Sequence, residues 1–139
     1  MLLLDSNVVS EVMAAKPHAT VLAWLDRQPW TSLWTTAITV LEIRSGLATM
    51  PSGRRRADLQ AAFEGLIAGP FEHRVLAFDY AAAEQAALLT EARHRSGRPR
   101  ELRDTMIAGI ALAQRATLAT RNVRHFDDLD LTVVNPWQA

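Results

Sequence analysis

Cysteine is absent from the 139 residues, which excludes disulfides, thiolate zinc sites and cysteine nucleophiles together. That absence agrees with a reducing compartment. No apolar run approaches the roughly 18 residues that a membrane-spanning helix needs. The opening residues also lack the basic segment and long apolar stretch of a secretory signal. The expectation is a cytoplasmic protein with no membrane partner. Neither a GxxxxGK[ST] nor a GxGxxG phosphate loop occurs. The histidines, His18, His73, His94 and His125, are scattered, no Ser–His–Asp arrangement is readable, and each reads as a surface or loop residue. Net charge is missing too, because 15 basic and 15 acidic residues cancel. The basic residues are nevertheless uneven. All but Lys16 are arginine, with a cluster from Arg93 to Arg103 and a run at Arg54, Arg55 and Arg56. A neutral total therefore does not exclude nucleic acid, since local clusters make the electrostatic footprint. For any one cluster, a solvated helix end or loop is the more usual reading.

What is present fits one globular domain spanning residues 1–139. At this length roughly two-thirds of the unfolded surface can be buried, and 49% hydrophobic with 22% charged residues is ordinary for a folded chain. Leu2-Leu3-Leu4 is an apolar run too short for a helix and bounded by Asp5-Ser6-Asn7, which reads as a buried strand. Helices are expected over Val8 to Ala15, Thr20 to Arg27, Thr39 to Thr49, Arg54 to Ile67, Tyr80 to Arg95 and Glu101 to Gln114. Further strands are expected at Ser32 to Thr36, Val75 to Phe78, Thr117 to Thr120 and Leu131 to Val134. Lys16-Pro17, Pro29, Pro51-Ser52-Gly53, Gly69-Pro70 and Ser96 to Pro99 punctuate them. No repeat, low-complexity tract or linker interrupts the pattern. Strands separated by helices imply βαβ crossovers, hence an α/β fold with a central parallel sheet flanked by helices on both faces.

In such a fold the carboxyl ends of the strands share one edge, where ligand crevices form. Asp5 follows the first strand, Glu42 lies in the helix after the second between Leu41 and Ile43, Asp104 opens a helix, and Asn122 follows the strand ending at Thr120. Each has an ordinary alternative: Asp5 as a helix cap, Glu42 as a solvated acid, Asp104 as a helix-start acid, Asn122 as a turn residue. Taken jointly, three carboxylates and an amide converge in one crevice, and like charges at close range call for a divalent cation. Oxygen donors without thiols favour Mg²⁺ or Mn²⁺ over zinc.

The strings Leu-Leu-Leu-Asp-Ser-Asn at 2–7, Ala-Ile-Thr-Val-Leu-Glu-Ile-Arg at 37–44, Asp-Thr-Met-Ile-Ala at 104–108 and Leu-Ala-Thr-Arg-Asn at 118–122 resemble the PIN-domain ribonucleases. More narrowly they resemble the VapC-type toxins of bacterial toxin–antitoxin pairs, in the FitB-like branch, as does the closing Asn135-Pro136-Trp137. The resemblance covers almost the whole chain. It implies a Mg²⁺- or Mn²⁺-dependent endoribonuclease cutting tRNA or rRNA, with Asp5, Glu42 and Asp104 matching three metal-binding acids and Asn122 standing at the fourth. His125 stands where many relatives carry another acid; Asp127 and Asp128 lie near enough in sequence to compensate. Ser6 and Thr120 become candidates for orienting water or phosphate, with local capping an equal alternative for both, and Arg98, Arg100, Arg121 and Arg124, with the rest of the Arg93–Arg103 cluster, for holding RNA. Arg44 is an antitoxin contact or a surface residue. The resemblance further implies a homodimer and a cognate antitoxin through which the pair binds operator DNA. The rival reading is a catalytically weak PIN-like protein that acts mainly in that repressor complex. Trp24, Trp30, Trp34 and Trp137 read as core residues, one or two of which can face a partner.

Overall fold

A computed structural model describes all 139 residues. Five strands, β1 (Leu2–Leu4), β2 (Leu33–Thr36), β3 (Val75–Leu76), β4 (Thr117–Ala119) and β5 (Val133–Val134), form one sheet in the order β3-β2-β1-β4-β5. Every pairing is parallel. Six helices connect them: α1 (Ser6–Met13), α2 (Ala19–Asp26), α3 (Ala37–Thr49), α4 (Arg54–Ala68), α5 (Tyr80–Arg95) and α6 (Leu102–Gln114). The first strand is thus the centre of the sheet, which explains why it is a run of leucines: a strand covered on both faces has no polar side. Its side chains alternate between two cores. Leu2 and Leu4 pack with Val8, Val9, Trp24 and Phe63 beneath α1 to α4, whereas Leu3 packs with Ile107, Ile110 and Leu118 beneath α5 and α6. Leu3 is fully buried, a burial that contributes about 1.5–3 kcal/mol.

Several boundaries differ from the sequence-based expectation, each for a local reason. α1 starts at Ser6, not Val8, because Asp5 caps it by accepting the Ser6 amide at 2.8 Å. α3 starts at Ala37 because the Thr36 hydroxyl accepts from the Thr39 amide at 3.0 Å. β3 and β5 shrink to two residues each. Both are edge strands with a neighbour on one side only, so apolar composition does not by itself sustain a ladder. Phe78, expected in β3, has left the sheet and packs into the second core just before Asp79 caps α5 through the Ala82 amide. At this edge the half-buried Arg74 donates to the carbonyls of Trp30, Leu33 and Pro70, adding side-chain bonds to the short β2–β3 pairing.

The α5–α6 pair is packed very closely. A Cβ on Gly109 would stand 2.5 Å from the Ala82 carbonyl oxygen and 2.9 Å from the Ala86 methyl. Glycine here serves close approach between helices, and the alanines of α5 complete the fit. This packing fixes the first turn of α6, and so Asp104, relative to the sheet.

Candidate active site

β1 delivers Asp5 to the carboxyl edge of the sheet, where it is only 5% exposed. Its two oxygens divide the roles that the sequence left open. Oδ1 caps α1, while Oδ2 accepts the Thr120 hydroxyl at 2.7 Å and the Asn7 amide at 3.3 Å. Burial pushes the Asp5 carboxyl above its ordinary range, the hydrogen bonds from Thr120 and Ser6 pull it part of the way back, and the charge of Asp104 pushes it up again. Glu42, on the second turn of α3, accepts the Ser6 hydroxyl at 2.9 Å. Its carboxyl is also raised, by burial first, with Ser6 opposing the shift and Asp5 and Asp104 adding to it. Asp104 stands in the first turn of α6, and its Oδ2 lies 2.9 Å from His125 Nδ1. The three acids expected at one edge therefore do share it and act on one another electrostatically.

The hydroxyls assigned to water or phosphate face inward. Thr120 is fully buried on Asp5, and Ser6 joins Glu42 to Thr39. Asn122 is tied to the site by its backbone, whose amide donates to Thr120 Oγ1 at 3.0 Å; its side chain is exposed and makes no hydrogen bond. Asp127 and Asp128, near it in sequence, each have an arginine partner: Asp128 is paired with Arg93 at 2.8 Å and Asp127 with Arg100 at 3.4 Å. Two arginines of the basic cluster have protein partners as well. Arg93 is 2% exposed and belongs to the interior, and Arg100 is held by Asp127 and the Arg124 carbonyl. Arg98, Arg121 and Arg124 remain exposed, Arg121 with its guanidinium 5.0 Å over the Trp137 ring. Arg44 is a surface residue that reaches Glu64 and lies over Phe63.

Asn7 and Thr39 escaped sequence reasoning, and His125 was singled out only by its position, not by its partner. Asn7 links Asp5, Thr120 and the Arg121 amide, closing the gap between β1 and β4. Its place two residues after Asp5 was the available signal. His125 touches Asp104, although its sequence setting marked it as a loop histidine. Thr39, one helical turn before Glu42, receives the Ser6 contact. Of the tryptophans, Trp24 is buried, Trp34 and Trp137 pack partly against the cores, and Trp30 is 64% exposed.

A groove of about 1040 Å³ opens beside Ser6, Asn7 and Glu42 and runs between α1, α3 and α4 to Arg54 and Arg55. No three of the His, Asp and Glu side chains stand close enough to enclose an ion unaided. The donors fit a divalent cation all the same. They are hard carboxylate oxygens on rigid element ends, and Asp5 and Glu42 are held above their ordinary pKa by burial and by neighbouring carboxylates, a cost that an added positive charge would relieve.

The model of the PIN domain matches residues 2–131. The chain is 41% identical over 139 residues to the plasmid stability protein StbB of Pseudomonas syringae pv. tomato, covering all of both proteins. It is 41% identical over 138 residues to the VapC ribonuclease Y4jK of Sinorhizobium fredii, covering 99% of each, and 35% identical over 137 residues to the toxin FitB of Neisseria gonorrhoeae, again covering 99% of each. A solved structure of FitAB bound to an IR36 DNA fragment superposes with a TM-score of 0.89 at 35% identity, over 99% of this chain and 96% of that one. A five-stranded parallel sheet, acids gathered at its carboxyl edge and relatives aligned end to end lead to one assignment: the chain belongs to the PIN-domain family, in the branch of the VapC and FitB proteins.

Proposed function

We propose that this protein is a toxin of a toxin–antitoxin pair, an endoribonuclease that hydrolyses phosphodiester bonds in RNA, with tRNA or rRNA as substrate, and depends on Mg²⁺ or Mn²⁺. The observation that carries the reading is the convergence of Asp5, Glu42 and Asp104 at the carboxyl edge of the sheet, two of them with raised carboxyl pKa values. The names of the relatives, a VapC ribonuclease and a toxin, supply the reaction class. Asp5, Glu42 and Asp104 would hold the ion, with the Asn122 amide oxygen at the fourth position. The chemistry an ion supplies when bound is activation of a water for in-line attack and relief of the charge on the phosphate oxygens. The protein's own part is to hold the carboxylates still. Thr120 and Asn7 fix Asp5, Ser6 fixes Glu42, and His125 fixes Asp104. Arg98, Arg121 and Arg124 carry exposed charge beside this edge for the RNA backbone, with Arg100 stiffening the Arg124 loop.

In this reading a cognate antitoxin neutralises the enzyme, and the protein is a homodimer in the cytoplasm. The test uses protein freed of its partner and total cellular RNA. Cleavage is expected with Mg²⁺ or Mn²⁺, none with EDTA, and none from Asp5→Asn under any condition. Cleavage that survives Asp5→Asn would sink the carboxylate mechanism.

A second reading has its own support in the unengaged Asn122 side chain and in the DNA-bound FitAB neighbour. It is a weak nuclease whose main role is operator binding with the antitoxin. It gains if the pair shifts its promoter DNA in a gel while the free protein cuts no RNA.

A further inference from the structure

Arg93 sits near the carboxyl end of α5 with its side chain 2% exposed, which is unusual for a guanidinium. Every nitrogen of its fork is used. Nε and Nη2 grip Asp128 at 2.8 and 3.0 Å, Nη1 donates to the Thr105 hydroxyl at 3.1 Å, and Nη2 also donates to the His125 carbonyl at 3.0 Å. These partners belong to different parts of the chain. Thr105 is the residue after Asp104 in α6, and its hydroxyl also donates back to the Glu101 carbonyl. His125 lies in the 3-10 turn Val123–Phe126, and Asp128 follows that turn. The His125 ring itself reaches Asp104, Nδ1 to Oδ2 at 2.9 Å. One buried cation thus joins the two segments that meet at Asp104, and it does so outside the carboxylate site.

We propose that Arg93 is a positioning residue for the candidate active site: through Asp128 and the His125 carbonyl it locks the turn 123–126 against the first turn of α6, and so sets where Asp104, His125 and Asn122 stand. Part of this rests on the nuclease reading, because the consequence for catalysis needs Asp104 to be a working acid; the clamp itself does not. The choice of arginine follows from the geometry. Only a planar fork with several fixed donors can serve a carboxylate, a hydroxyl and a carbonyl at once, and a lysine can supply neither the directions nor the number. Phe126, fully buried in the core under α5 and α6, anchors the same turn by packing, so the turn has an apolar hold and a polar one. The apolar hold fixes its depth. The polar hold fixes its rotation, on which the direction of the His125 ring depends.

The test compares wild type, Arg93→Lys and Asp128→Asn, with Thr105→Val as a milder variant that removes one bond of the fork. Two readouts are taken. Amide hydrogen exchange, measured without metal, should rise at least tenfold in residues 122–128 and in the first turn of α6, while amides of β1 and β4 keep their protection. Mn²⁺ binding, followed by electron paramagnetic resonance, should weaken about tenfold, the size of effect expected when the groups behind a metal ligand are altered. In RNA cleavage kcat should fall while KM stays within twofold. Should Arg93→Lys not fold, Asp128→Asn carries the test, since it keeps the buried cation and a hydrogen-bonding partner. Exchange rising evenly across the sheet, or staying unchanged in 122–128 in a folded variant, overturns the clamp. Local exchange that rises without any change in Mn²⁺ affinity overturns its role in setting the site. Wild type that binds no Mn²⁺ and cuts no RNA overturns the nuclease reading alone, and the exchange result still decides the clamp.

Discussion

Asp5 is a carboxyl kept where water barely reaches, and the cost of that burial fits the metal-binding role proposed for it. Its carboxyl is raised above 3.8 chiefly by burial. The folded state therefore favours the neutral form more than the unfolded chain does. It follows that Asp5 contributes no penalty below its unfolded pKa, and that stability is lost as pH rises through the raised folded value. Glu42 adds a contribution of the same sign. Replacing Asp5 by Asn should abolish cleavage and yet leave the urea midpoint, measured in EDTA at neutral pH, no lower than wild type. A large fall in midpoint would mean that Asp5 is a structural cap first. Asn122 offers the converse experiment. Its exposed amide has no partner to lose, so Asn122→Asp should fold normally and tighten Mn²⁺ binding, by about an order of magnitude given how strongly groups around a metal site tune affinity. Calorimetric titration would read it, and an unchanged Kd would place residue 122 outside the site. Asp5 and Asp104 were legible in sequence because each sits at an element boundary that punctuation marks. The link from Asn7 to Thr120 and that from His125 to Asp104 were not, because each joins partners far apart in the chain, more than 100 residues for Asn7 and more than 20 for His125.

Among the elements, the α5–α6 pair decides most about the position of the site. Gly109 has no room for a methyl against Ala82 and Ala86, so Gly109→Ala should destabilise by about 1–3 kcal/mol, as overpacking of a close interface does. The urea midpoint measures this, and a midpoint equal to or above wild type would show that the helices can move apart freely. The same pair carries a dependence on acid. Asp128 is held below its ordinary value mainly by its hydrogen bonds to Arg93. A carboxyl lowered in the fold contributes stability above its unfolded pKa and loses it as pH falls through the folded value. Wild type should thus lose thermal stability below pH 3.8, and Asp128→Asn should show a shallower acid limb from a lower starting point. Equal slopes would separate Asp128 from the acid response. Sequence gave no hint of this pair. Arg93 stands in a run of arginines that composition assigns to the surface, and only its depth in the interior separates it from Arg95 and Arg98.

For the molecule as a whole, net charge of zero hides an uneven surface. If exposed arginines at the carboxyl edge hold RNA, binding should weaken with salt, and Arg121→Gln should lessen the slope of log affinity against log salt by about 0.7, the value for one single-stranded phosphate contact. Fluorescence anisotropy across a salt series, with a catalytically silent Asp5→Asn background, measures the slope. No change would assign Arg121 to its stack on Trp137 alone. The groove that leads from Glu42 to Arg54 and Arg55 belongs to this scale too, since it exists only where α1, α3 and α4 come together.

By itself the sequence determined the fold class and the edge on which the acids meet. Hydrophobic runs ended by Asp, Thr and Asn are local signals, and a chain of strands separated by helices admits few topologies other than a covered parallel sheet. The tertiary structure decided what depends on distant partners. It decided that β3 and β5 are two-residue edges, that the Thr120 and Ser6 hydroxyls serve the carboxylates, that Asp127 and Asp128 are spent on arginines, and that Arg93 lies inside. The reason is physical: a side chain's type sets which bonds it can make, but burial and the approach of segments far apart in the chain select which of them it does make.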